Sequence, residues 1–303
     1  RRARWLVSGP EYLILALTGE AVTIHPDRRY EAAYWTGEAL AADGIDPGIL
    51  PPFVTTGQIV GRCVLDGLNG VPVIAGGPDF FAALVGTGAI EPGVACDRAG
   101  TSEGLNLCTA EPVVHPGIRT LPSLRAEYWN ASCLLPDTGA RFHAWRRESG
   151  LLSLSYPEIM SRIDASPLVP EPGTATNPGR LIVEEIGFSV RKGMETLREA
   201  TGFAGEYRLS GGQARNDIWN RMKADITGTT LALTATADGE LMGDAIIGFA
   251  GIGAYRSAPD AAAAMVRITR RYEPDPGREI FYEQLYSRWK ERHHEDLLDP
   301  ERP

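Results

Sequence analysis

Residues 71–109, VPVIAGGPDFFAALVGTGAIEPGVACDRAGTSEGLNLCT, constrain the fold more than any other stretch. Val71, Val73 and Ile74 form a β-branched apolar run that predicts a short buried strand. Gly76, Gly77 and Pro78 stop it, and Asp79 follows at its lip. The run from Phe80 to Val85 predicts a helix that ends near Gly86. Pro92 and Gly93 predict a turn, and Val94, Ala95 and Cys96 a second strand. Gly100, Thr101 and Ser102 predict a tight turn, with a third strand from Leu105 to Cys108. A carboxylate thus sits at a strand end, with a Gly/Thr/Ser hairpin close behind it in sequence.

That layout suits phosphoryl transfer. A carboxylate at a strand end can take the proton of a substrate hydroxyl. A turn of Gly, Thr and Ser offers backbone N–H groups and hydroxyls to phosphate oxygens without bulky side chains in the way. The plainer alternative is structural: Asp79 caps the following helix and residues 100–102 are an ordinary turn. The same residues also fit G-x-S-x-G, from Gly100 to Gly104, the nucleophile elbow of α/β-hydrolases. That motif requires a helix after the turn. Residues 105–109 alternate like a strand, which counts against a hydrolase.

The 303 residues are enough for two domains. A net charge of −9 argues against a nucleic-acid footprint and against a basic membrane patch. An acidic phosphate-handling enzyme stays open, because such a site needs only local donors and a metal ion. Cys63, Cys96, Cys108 and Cys133 form no C-x-x-C pair. They predict reduced, mostly buried thiols in a cytoplasmic protein. No signal peptide is read at the N-terminus, and the apolar run 245–255 is too short and Gly-rich to span a bilayer. The first residue is Arg1 rather than Met, so it need not be the natural start.

Along the chain, residues 1–20 predict a helix stopped by Gly19, and 32–42 a second helical stretch. Residues 59–64 predict a strand. Residues 111–177 are the least regular part, with 127–135 and 140–147 taken as helical. A single apolar stripe of Ile182, Ile186, Val190, Met194 and Leu197 predicts a long helix over 180–200. Residues 206–209 and 231–233 predict strands, and 216–227 a helix with Ile218, Met222 and Ile226 on one face. Residues 240–255 predict a small-residue helix that lets backbones approach closely. Further helices are predicted over 261–269 and 278–293, the last charged and peripheral. Alternating strands and helices argue for an α/β fold.

Gly211 and Gly212 form the second informative turn. Two glycines between a strand and a helix let a flat ring lie against backbone, and the helix N-terminus favours phosphate. Asn216, near the helix start, is placed to hydrogen-bond a base or ribose. The alternative is a strand–turn–helix link whose glycines serve only the turn. No Walker A pattern occurs in the sequence.

With these residues together the chain resembles the FGGY carbohydrate kinases, and among them xylulokinase-type members. The family's Ala-Gly-Gly-x-Asp is matched by Ala75, Gly76, Gly77 and Asp79, followed by the small residues Ala82 and Ala83. Its phosphate hairpin is matched by Gly100, Thr101 and Ser102. Its long-helix pattern is matched by Glu184, Phe188, Ser189 and Arg191. Its adenosine segment is matched by Gly211, Gly212, Asn216, Trp219, Ala224 and Asp225, and the helix after it by Glu240, Gly243 and Ala245. Matches also occur before the aspartate, at Thr18, Gly19 and Glu20 and at Leu50, Pro51 and Pro52.

The resemblance implies an α/β, actin-like ATPase (ribonuclease H-like) fold of two lobes, with 1–91 the remainder of the sugar lobe and 92–303 the nucleotide lobe. It implies ATP and Mg2+, with Asp79 as catalytic base, sugar ligand and metal ligand. Gly100, Thr101 and Ser102 would meet the phosphates, and Gly211, Gly212 and Asn216 the adenosine. It implies a small sugar as partner, with no nucleic acid and no membrane, and leaves room for a homodimer. The best single substrate is a ketopentose such as D-xylulose; ribulose, a polyol, gluconate or an autoinducer is the alternative. Two family features have no match: an opening Asp-x-Gly-Thr turn and a Gly-Glu-Arg signature ahead of the long helix. The first lobe is therefore expected to be incomplete and the chain alone inactive, and a non-catalytic nucleotide- or sugar-binding relative is the second class of reading.

Overall fold

The computed structural model describes residues 4–169 and 177–293, apart from the side chain of Ala32. In chain order the first elements are α1 (Gly9–Thr18), β1 (Thr23–His25), α2 (Glu31–Tyr34), α3 (Gly37–Ala42), β2 (Phe53–Thr55), β3 (Ile59–Arg62), β4 (Pro72–Ile74) and α4 (Asp79–Thr87). The middle of the chain forms β5 (Ala95–Ala99), β6 (Glu103–Thr109), β7 (Arg119–Pro122), β8 (Trp129–Leu135), α5 (Thr138–Glu148), α6 (Tyr156–Asp164) and α7 (Pro178–Thr201). The remainder is β9 (Tyr207–Ser210), α8 (Asp217–Thr227), β10 (Leu231–Thr234), α9 (Gly239–Gly251), α10 (Ala258–Met265), β11 (Ile268–Tyr272) and α11 (Pro276–Arg292).

These elements form two compact units. The first takes in the described residues up to Ile90, with Pro122–Glu127 and Gly239–Val266. The second takes in Glu91–Leu121, the described part of Tyr128–Asp238 and the described residues from Arg267 onward. The sequence division into 1–91 and 92–303 left α9 and α10 in the nucleotide lobe. By contacts they lie in the unit that holds Asp79.

The second unit is built on a seven-stranded mixed sheet in the order β11-β10-β9-β5-β6-β8-β7. β9 runs parallel to both β5 and β10, and β5, β6 and β8 are antiparallel neighbours. The stripe on α7 packs as its spacing predicts: Ile186, Val190, Met194 and Leu197 are buried with Leu105, Leu107 and Met222 in one core. Three expectations are corrected here. Residues 129–135 are a strand, because all seven pair with β6. The helix expected over 261–269 stops at Met265, and the β-branched Ile268 and Thr269 enter β11 beside β10. Helix α11 is not peripheral: Tyr282, Leu285, Tyr286 and Trp289 are buried with Phe188 and Ile226. Helix α6, in the stretch taken as irregular, is announced by a capping box of Ser155 and Glu158.

The first unit carries less sheet. β1 pairs in parallel with β2, and β3 antiparallel with β4, as separate two-stranded ladders. Among the described residues β4 has one sheet neighbour. Ile59, Val64, Leu65, Leu68 and Val71 are correspondingly exposed. The helical part of the unit is tighter. A methyl group at Gly243 would lie 1.9 Å from the Ala82 carbonyl, and one at Gly86 1.9 Å from the Gly239 carbonyl. α4 and α9 therefore cross backbone to backbone, as the small residues of 240–255 predict, and fix the helix that begins with Asp79.

Candidate functional site

In the second unit the hairpin of Gly100, Thr101 and Ser102 joins β5 to β6, with Ala99 opposite Glu103. The Gly100 N–H closes it by donating to the Ser102 carbonyl at 2.8 Å. A strand follows Ser102, so the nucleophile-elbow geometry is absent and the hydrolase alternative falls. The N-terminus of α5 abuts the same loop. The Ala140 N–H donates to the Thr101 carbonyl at 3.0 Å, and a methyl at Gly139 would lie 1.9 Å from the Gly100 carbonyl.

The Gly211, Gly212 turn leaves the end of β9 beside this hairpin. Gly211 has φ +90°, and a methyl there would lie 2.4 Å from the Ala99 carbonyl. Only glycine fits that approach. Gly212 differs: a methyl there meets nothing within 4 Å. Open space over Gly212, and not over Gly211, is what a flat ligand group would use. Gln213 links the two turns. Its Nε2 donates to the Gly100 carbonyl at 3.0 Å, and its Oε1 accepts from the Trp219 indole N–H at 2.9 Å. Two buried hydroxyls bordering these turns, Ser210 Oγ and Thr138 Oγ1, have no hydrogen-bond partner. Such groups are where a bound ligand or water is expected.

Asn216 has a structural role beside the ligand contact expected of it. Its Oδ1 accepts from the N–H groups of Ile218 at 3.1 Å and Trp219 at 3.0 Å, so it is the N-cap of α8. Only its amide N–H2 is left to offer a ligand.

Asp79 belongs to the first unit. It is the first residue of α4, behind Pro78, and its Oδ1 accepts from the Phe80 N–H at 2.6 Å. The carboxylate is exposed in the first turn of the helix, where negative charge is favoured; the N-cap position is taken by Pro78, so Asp79 is not the cap of the structural alternative. Thr56 Oγ1 holds the preceding turn by donating to the Gly76 carbonyl at 2.6 Å. A cavity of about 710 Å³ in the same unit reaches Gly77 and Pro78, with Tyr34, Trp35, Glu11 and Asp43 in its walls. Among the described residues, no group of three or more His, Cys, Asp or Glu side chains is placed to hold a metal.

The structure thus gathers Gly100, Thr101, Ser102, Gly211 and Gly212 within one unit, while Asp79 lies in the other. Sequence reasoning missed Gln213 and a fully buried ion cluster under the hairpin. There Lys223 Nζ donates to Asp97 Oδ2 at 2.7 Å and to Glu103 Oε1 at 2.6 Å. The available signal was the strand alternation: Asp97 and Glu103 sit at the parity of Ala95 and Leu105, which faces the core.

Comparison with known proteins adds a family-level likeness. Residues 165–252 match the FGGY family of carbohydrate kinases, C-terminal domain. Over those residues the chain is similar to that domain. A curated relative, the autoinducer-2 kinase of Yersinia enterocolitica (serotype O:8 / biotype 1B), is 22% identical over 304 residues. That match covers 84% of this chain and 58% of the relative, so the chain spans little more than half its length. Two solved FGGY-type folds are those of xylulose kinase and gluconate kinase from Lactobacillus acidophilus. The first has a TM-score of 0.76 at 15% identity, covering 95% of this chain and 67% of that one. The second has a TM-score of 0.77 at 16% identity, covering 98% and 69%. The fold is the actin-like ATPase fold of these FGGY kinases, as the sequence resemblance implied. Among the described residues no helix is long and apolar enough to cross a membrane. The four cysteines are buried and none is in a disulfide, as expected.

Proposed function

We propose that the chain is part of an ATP-dependent kinase that phosphorylates a hydroxyl of a small sugar or polyol. The observation that carries this reading is the pair of turns in the second unit. A Gly-Thr-Ser hairpin is locked through Gln213 to a glycine turn with open space over Gly212. In this scheme the Asp79 carboxylate takes the proton of the attacking hydroxyl as its oxygen bonds to the γ-phosphorus, and the bond to the β-phosphate oxygen breaks. Thr101, Ser102 and the hairpin N–H groups hold the phosphate oxygens. The space over Gly212 takes the adenosine, and the Asn216 amide lies near enough in sequence to that turn to assist. Magnesium is usually bound through one or two carboxylates plus substrate phosphates, which a single Asp79 satisfies, and it would neutralise phosphate charge there.

The substrate we propose is a ketopentose such as D-xylulose. The names of the similar proteins support a sugar-related hydroxyl and diverge on which, so gluconate, polyols and autoinducer-type ligands are the competing substrates. ADP release measured with ketopentoses, polyols and aldonates in turn, on a protein that carries this chain together with a complete first lobe, tests this reading. Turnover of one ketopentose above the rest supports it. Nucleotide binding without turnover of any acceptor would favour the non-catalytic relative instead. The same assay tests the expectation that residues 1–303 alone are inactive, which turnover by that chain overturns.

A further inference from the structure

Asp97, Glu103 and Lys223 lie directly beneath the hairpin, and all three are essentially inaccessible to solvent, at 0–1% exposure. Asp97 is on β5, two residues before Ala99. Glu103 opens β6, immediately after Ser102. Lys223 reaches them from α8. Two carboxylates against one ammonium leave an excess negative charge in an apolar core, which is strongly unfavourable. One oxygen of each carboxylate, Asp97 Oδ1 and Glu103 Oε2, is also buried without a partner.

One proton answers both problems, because it removes the excess charge and supplies the missing donor. We propose that Asp97 and Glu103 share a proton across these oxygens, so that with Lys223 they form a charge-balanced clamp that positions the Gly100, Thr101 and Ser102 hairpin. The inference rests on the kinase reading only for what the hairpin binds. Burial, then the Asp97 charge, push the Glu103 carboxyl up to about 8 against the pull of Lys223, and a hydrogen bond to Asp97 adds to the rise. Burial alone would lower the Lys223 ammonium, but the two carboxylates outweigh it and hold it charged.

The clamp continues on the other side of the hairpin. Lys223 Nζ lies 5.2 Å from the centre of the Trp219 ring. The Trp219 indole orients Gln213, and Gln213 holds the Gly100 carbonyl. The hairpin is therefore gripped at both flanks by residues that share one lysine. The other titratable groups around the cluster are Tyr207 on β9, raised by burial and then by Asp97, and Cys133 on β8, raised by burial and opposed by Lys192 of α7. Both shifts favour the neutral forms. The proton shared by the carboxylates is thus the one that leaves first as pH rises.

The sign follows from the raised Glu103 value. Its contribution to stability is fully present below the unfolded carboxyl value near 4.5 and is lost as pH rises toward about 8. The test uses the purified protein and Glu103→Gln, which keeps the shape and fixes the neutral state. Infrared difference spectra, wild type minus Glu103→Gln at neutral pH, should contain a protonated-carboxyl carbonyl band distinct from that of Glu184, whose carboxyl is pushed up to about 7 by burial in both proteins. ADP affinity by calorimetry should weaken about two- to tenfold in the wild type as pH passes 8, the worth of one hydrogen bond, and stay flat in the variant. Lys223→Met should lower the melting temperature, and Lys223→Met combined with Asp97→Asn should recover part of the loss. Absence of that difference band, or an affinity profile unchanged by the substitution, overturns the proposal. If ADP binds no form of the protein, the nucleotide reading falls while the infrared and melting results still decide the clamp.

Discussion

Gly76 and Gly77 follow β4 and lead into α4; Gly211 and Gly212 follow β9 and lead toward α8. In sequence the two pairs look interchangeable, each a strand, two glycines and a helix. In the structure they are not. Gly211 is held at φ +90° with the Ala99 carbonyl 2.4 Å from where a methyl would be. Neither glycine of the first pair has positive φ. A methyl at Gly76 would meet only Asp244 Oδ1, at 3.7 Å. The second turn is fixed by backbone packed against a seven-stranded sheet. The first is fixed from behind, by Thr56 and by the crossing of α4 with α9. A glycine pair therefore marks a turn, but only its neighbours show whether the glycines serve the backbone or leave room for a ligand.

The largest expected effect separates the two turns by chemistry. Asp79→Asn removes the proton acceptor at almost constant shape. In a protein that carries this chain with a complete first lobe, sugar phosphorylation should fall by about 10²–10⁴ while ADP affinity, which we assign to the second turn, is kept. Phosphorylation at the wild-type rate would remove Asp79 from the mechanism.

Gly211→Ala should act on folding. A left-handed backbone and a 2.4 Å approach to the Ala99 carbonyl cannot both be relieved by a side-chain movement. A loss of about 1–3 kcal/mol is expected in denaturant unfolding. Gly212→Val is the contrast. No atom lies within 4 Å of its new carbon and its φ is not positive, so stability should hold. The bulk would enter the space assigned to adenosine, and ATP should bind roughly tenfold more weakly, a difference of about 1.4 kcal/mol. Calorimetry on both variants separates the roles, and equal ATP affinities for Gly212→Val and wild type would move the nucleotide elsewhere.

Much of this arrangement was legible before the structure. The β-branched run at Val73 and Ile74, the stripe on α7 and the glycine turns are local signals, and local signals survive folding. What was missed depends on partners far apart in sequence. Lys223 lies 120 residues from Glu103, and nothing in the residues around either one announces the other. Helix α11 was misplaced because its charges outweighed its spacing: Tyr282, Leu285, Tyr286 and Trp289 already fall at helical intervals on one face. The capping role of Asn216 was missed, although an asparagine two residues before an amphipathic run is a strong cap signal. The membership of α9 in the Asp79 unit follows from the Gly86 and Gly243 contacts, which composition hints at and only packing decides.

The smallest effect should come from Gly77→Ala, the partner experiment to Gly211→Ala. The new methyl would lie 3.0 Å from Phe81 Cδ1 and 3.4 Å from Thr56 Oγ1, so the ring must give by a few tenths of an ångström. Phe81 is buried, and that adjustment is mildly unfavourable. Against it stands the reduced freedom of the unfolded chain, which favours alanine by about 0.4–1 kcal/mol where the backbone tolerates it. The two nearly cancel, and unfolding free energy should change by less than about 1 kcal/mol in either direction. Because α4 is held by α9 and not by this glycine, Asp79 should stay in place and phosphorylation should remain within a few-fold of wild type. A loss of activity as deep as that of Asp79→Asn, with stability intact, would show that Gly77 lies against the substrate itself, and the first turn would then share the ligand-facing role assigned to Gly212.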